Sequence, residues 1–119
     1  MLANINFQIW FKVCRPIRRK YGISTNVCLV LNGAYVLTLV NNKPFTRYQL
    51  RKFTSYYNPL KLDSLINILI SKRMLVNAES NNTRDYFVLS SSGLSVIKEL
   101  TESYEIELRK FIDLYNIVL

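Results

Sequence analysis

A chain of 119 residues, half of them hydrophobic and 20% charged, has the apolar content to fold as one domain and too much of it to stay disordered. It holds only three Gly, three Pro and no His, which disfavours a turn-rich all-β fold and removes the commonest general base and metal ligand, so neither catalysis, nor a metal, nor a cofactor is expected. Sixteen Lys and Arg oppose eight Asp and Glu, and ten of the bases fall in the first 62 residues with no acid among them, a concentration of positive charge suited to a polyanion such as nucleic acid.

Residues 4–21 carry Ile5, Ile9, Trp10, Val13, Cys14 and Ile17 at spacings of three and four, which predicts an amphipathic helix. Pro16 lies inside it and predicts a kink or break. Arg15, Arg18, Arg19 and Lys20 are read as its solvated side. Gly22 closes this element and Ser24 or Thr25 caps a second helix reaching Leu39 or Val40, apolar nearly all round and therefore central. Its apolar run, 27–40, is shorter than the roughly 20 residues that span a bilayer, and the N-terminus lacks the flanks of a signal peptide. A soluble cytoplasmic protein, of a prokaryotic cell or of a virus in its host, and no membrane partner are expected. Cys14 and Cys28 match no metal or Cys-x-x-Cys spacing and read as buried free thiols.

Asn41-Asn42-Lys43-Pro44 predicts a turn, and Thr46 caps a third helix with Arg47, Arg51 and Lys52 on its exposed surface. Asn58 followed by Pro59 is a start signal for a fourth helix, because the first helical position needs no N–H. That helix buries Leu62, Leu65, Ile66 and Leu69 and turns Leu60, Ser64, Asn67 and Ser71 outward. One β-hairpin follows, with strands at 75–79 and 86–89 around an Asn-rich turn at 80–85. Ser90 or Ser91 opens a last helix in which Leu94, Ile97, Thr101, Tyr104, Leu108, Phe111, Tyr115 and Val118 form an apolar seam. Some 28 residues make a rod of about 42 Å, longer than this domain can cover, so part of it is expected to meet another chain.

Helix, turn, helix and a two-stranded hairpin is the order of a winged helix-turn-helix, whose second helix enters the major groove. The fold class expected is mainly α with one small β-hairpin. Phe45-Thr46-Arg47-Tyr48-Gln49-Leu50, the buried face of the fourth helix, Met74-Leu75-Val76, Arg84 and Val88-Leu89-Ser90-Ser91-Ser92-Gly93 stand in an order and spacing that resemble the MarR family of transcription factors. Met74 departs from that family's pattern, which usually has Gly after the recognition helix. The resemblance runs from about residue 24 to the C-terminus. It divides the single domain into an N-terminal helix (1–22), a winged-helix core (23–90) and a C-terminal dimerisation helix (91–119).

What the resemblance implies is a homodimer on double-stranded DNA. Leu60, Ser64 and Asn67 face base edges, Asn58 and Lys61 flank them, and Arg47, Arg51 and the wing residue Arg84 take phosphates. Ile9, Trp10, Tyr104, Leu108, Phe111 and Tyr115 then face the second protomer. Family members also hold small-molecule effectors between the DNA-binding lobe and the dimer helices, at a place this sequence does not locate. The other reading of the same helices is a protein-interaction module in a viral or multi-subunit assembly, motivated by outward Leu60 and Ile68.

Overall fold

The computed structural model describes residues 1–42, 44–78 and 86–117. Among these residues five helices and three strands follow in chain order: α1 (Leu2–Tyr21), α2 (Thr25–Asn41), β1 (Phe45–Thr46), α3 (Arg47–Phe53), α4 (Pro59–Ser71), β2 (Leu75–Asn77), β3 (Tyr86–Leu89) and α5 (Ser91–Tyr115). The boundaries follow local chemistry. Ser24, Thr46, Asn58 and Ser90 each accept a backbone N–H at the start of a helix, and Gly22, Asn42 and Asn116 close helices in the left-handed conformation.

The core centres on α2, whose Val27, Val30, Leu31, Ala34 and Leu37 are buried and which touches every other helix. The fourth helix lies against it through Leu62, Leu65, Ile66 and Leu69, as the spacing predicts. Phe45 and Phe87 cover the same core from the sheet. The molecule measures 54 × 26 × 25 Å with a radius of gyration of 15.7 Å, above the about 13.5 Å of a compact chain this long. Elongation arises because α1 and α5 pair in opposite directions as an arm, zipped by Lys12–Glu107 at 3.0 Å and Lys20–Glu99 at 2.9 Å. Among the described residues no single helix is long and apolar enough to cross a membrane.

Four expectations need correction. The first helix runs unbroken through Pro16, which is exposed, so that water can reach the Lys12 carbonyl left without its backbone donor. Among the described residues the sheet has three strands, ordered β1-β3-β2 and antiparallel, because Phe45 and Thr46 pair with Phe87 and Tyr86. Two residues are too few to show a period of two. The buried face of α5 is Gly93, Val96, Ile97 and Leu100, leaving Leu94 and Thr101 of the expected seam exposed. At 100° per residue those two lie about 90–110° from the centre of the face that meets the lobe. Arg47 and Arg51 are half-buried and share Asp63, at 3.0 and 3.8 Å. The 80–85 turn, Arg84 and Val118 lie outside the described residues.

Candidate nucleic-acid interface

Local hydrogen bonds fix the helix pair α3 and α4. Thr46 Oγ1 accepts from the Gln49 amide at 3.1 Å while the Thr46 amide donates to Gln49 Oε1 at 2.9 Å, a reciprocal cap on α3. Asn58 Oδ1 accepts from the Lys61 amide at 2.8 Å, and Pro59 occupies the first turn of α4. The connecting turn is tied down by Thr54, which is buried and donates to the Leu50 carbonyl, and by Tyr57, whose hydroxyl donates to Asn26 Oδ1 on α2. A short turn braced at both ends holds α4 in one orientation.

The outward face of α4 then presents Leu60, 83% exposed, with Lys61, Ser64 and Asn67 also exposed. Ser71 is exposed at the far end, but its hydroxyl donates to the Ile68 carbonyl of its own helix. The Asn58 side-chain oxygen is committed to the cap, leaving its amide nitrogen as the free donor. Arg47 packs its guanidinium 5.3 Å from the centre of the Phe87 ring while bonding Asp63. Arg51 Nε is buried without a hydrogen-bond partner among the described residues. Asp63 thus lies between two of the expected phosphate contacts, and no periodicity in the sequence links residues 16 and 12 positions apart.

Further cations stand free of the Asp63 cluster. Lys52 lies 5.3 Å from the ring centre of exposed Tyr48, and Lys72 and Arg73 are exposed where α4 ends. Arg73 adopts a φ of 59°, with its amide bonded to the Ile70 carbonyl and the Met74 amide to the Leu69 carbonyl. The left-handed residue that turns the chain into β2 is therefore Arg73, one position before Met74. Tyr57 is scaffold, whereas Tyr56 of the same aromatic pair is exposed.

On the arm, Ile9 is 4% exposed and belongs to the protomer's own core. Trp10, Tyr104, Leu108 and Phe111 are partly buried against that core, and Tyr115 is exposed. Apolar surface that periodicity did not single out lies at Phe7 and Phe11, exposed on α1 with ring centres 5.1 Å apart, and at Leu114 on α5. Phe7 and Phe11 are spaced i, i+4 off the Ile5–Ile9 stripe, a signal hidden by the stronger one. Ala3, Asn6, Phe7, Trp10, Thr101 and Tyr104 line a groove of about 520 Å³ between the two helices. Glu99 accepts from the Tyr21 hydroxyl and from Lys20, which holds its carboxyl below the ordinary value, and Lys12 does the same to Glu107. Two of the bases of α1 are thereby neutralised by α5.

A helix pair with an outward second helix, a three-stranded wing and a helical arm defines the winged helix-turn-helix fold in its MarR-like form. Solved structures agree. The chain superposes on the Staphylococcus aureus MepR–DNA complex with a TM-score of 0.74 at 13% identity, covering 95% of this chain and 82% of that one. It matches the transcriptional regulator Tm0710 of Thermotoga maritima with a TM-score of 0.73 at 18% identity, over 94% of this chain and 75% of that one. RV1404 of Mycobacterium tuberculosis gives 0.73 at 14% identity, over 94% and 72%. No family model and no curated protein matches the sequence. At these identities the likeness establishes the fold.

Proposed function

We propose that the protein is a homodimeric, sequence-specific double-stranded DNA-binding regulator of the MarR type, without catalytic activity, acting in the cytoplasm. The observation that carries this reading is the outer face of α4: a helix capped at Asn58, braced through Tyr57 and Asn26, and presenting Leu60, Lys61, Ser64 and Asn67 to solvent. Asn67 suits adenine, Ser64 either member of a pair, and Leu60 a thymine methyl. Lys61, Arg47, Arg51 and Arg84 supply charge to the backbone. MepR, which has the same fold, has been crystallised with DNA. The arm offers Phe7, Phe11, Leu114 and Tyr115 as apolar surface for a second protomer, and a two-fold dimer formed there would present two α4 helices to successive major grooves. Any small-molecule effector is a matter for the same dimer.

Selection from a random duplex pool tests this directly. The expected result is enrichment of a two-fold symmetric site, bound with an affinity that falls steeply as salt rises. Failure to bind any duplex at low salt would refute the reading. A second reading, a protein-interaction module, is favoured by the 83% exposure of Leu60 and the engagement of Arg47 and Arg51 by Asp63. Replacing Arg47, Arg51 and Arg84 with Ala separates the two: loss of DNA binding with an intact dimer supports the regulator, and unchanged function supports the module.

A further inference from the structure

Cys14 on α1 and Cys28 on α2 are 2% and 0% exposed, and their Sγ atoms lie 3.5 Å apart. The two helices bend by 100° where they meet, so the thiol contact joins the arm to the lobe. One turn beyond Cys14, Arg18 holds a buried Nε that has no hydrogen-bond acceptor among the described residues. A buried guanidinium donor without an acceptor is costly, and a thiolate beside it would relieve that cost. Packing alone calls for neither a second thiol in contact nor an unsatisfied cation.

We propose that Cys14 and Cys28 are a reversible oxidation site, at which a hydroperoxide converts the two thiols into a disulfide that staples α1 to α2. Cys14 is the attacking sulfur. The hydrogen bond shared with Cys28 lowers its pKa to about 7, with the charge of Arg18 assisting, while the Cys28 thiol is pushed up by the same contact and by burial. The Cys14 thiolate attacks the peroxide, an S–O bond forms, the O–O bond breaks, and the alkoxide or hydroxide leaves and takes up a proton. Cys28 then attacks the sulfenic sulfur, an S–S bond forms, and hydroxide departs with the Cys28 proton as water. Two thiols lose two electrons, and the peroxide is reduced to an alcohol or water. Cys14 is nearly enclosed, so a small peroxide reaches it through local opening of α1.

The test uses the full chain, purified reduced and then exposed to hydrogen peroxide, with thiols alkylated after denaturation. Mass spectrometry is expected to show both thiols lost together with two hydrogens, a cross-link between residues 14 and 28 of one chain, and full reversal by dithiothreitol. Closing this loop should raise the thermal midpoint of the oxidised protein by about 10 °C. In Cys28→Ser, Cys14 should be trapped as a sulfenic acid that reacts with dimedone, and Arg18→Gln should slow that trapping about tenfold. Two thiols still alkylatable after a peroxide dose that consumes free glutathione would overturn the proposal. So would a disulfide between chains, or oxidation that dithiothreitol does not reverse.

Discussion

Replacing Gly93 with Ala tests how the wing is seated on the arm. Gly93 is the third residue of α5, and a Cβ there would lie 2.4 Å from the Met74 carbonyl oxygen, 3.2 Å from the Met74 carbonyl carbon and 3.2 Å from Leu89 Cδ2. The obstacle is backbone that cannot easily yield. That carbonyl accepts the Ser90 amide at 3.1 Å, and the Met74 amide is itself bonded to the Leu69 carbonyl at 2.9 Å. Overpacking a tight site costs about 1–3 kcal/mol, and a backbone obstacle places this case near the top of that range. The helix propensity gained on going from Gly to Ala offsets less than about 1 kcal/mol, so the net loss is about 2 kcal/mol. With an unfolding entropy of about 2.1 cal/mol/K per residue, that lowers the midpoint of a chain this long by about 8 °C. Thermal and urea denaturation followed by circular dichroism measure it. Gly33→Ala is the control: its added Cβ meets side chains at 3.1 and 3.4 Å, and the propensity gain of about 1 kcal/mol brings the net change near zero. A Gly93→Ala protein unfolding at or above the wild-type midpoint would refute the close approach of Met74 to α5.

Arg73 sits at a φ of 59° where glycine is preferred, so Arg73→Gly should stabilise the protein by about 0.5–1 kcal/mol, read as a midpoint about 2–4 °C higher. Asn58→Ala removes the α4 cap and should cost about 1 kcal/mol in urea titration. Asp63→Asn frees Arg47 and Arg51 from their shared carboxylate; DNA binding should tighten, with a log–log salt slope steeper by about one, and an unchanged slope would count against a phosphate role for these arginines. Glu99 and Glu107 are held below the ordinary value of 4.5 by Tyr21, Lys20 and Lys12. Their contribution is therefore present above that value and lost as pH falls through their lowered folded values, so melting curves should show the midpoint dropping below pH 4.5. Glu99→Gln should flatten that drop.

Local chemistry made most of the fold legible in the sequence. Caps at Ser24, Thr46 and Asn58, the Pro59 start signal and the three-and-four spacing in α1 and α4 act within a turn of helix, where neighbouring residues alone decide the outcome. The outward face of α4 was readable for the same reason: a helix with one apolar side has its other side fixed by geometry. Long-range contacts were not readable. Strand β1 exists because Phe45 and Thr46 meet Phe87 and Tyr86, the phase of α5 was set by where Met74 crosses Gly93, and Asp63 reached two arginines through the packing of α3 on α4. The Cys14–Cys28 contact likewise needed two helices to cross. One sequence carries periodicity and capping explicitly, whereas which distant residues touch depends on how helices pack once formed, a choice made by the whole core at once.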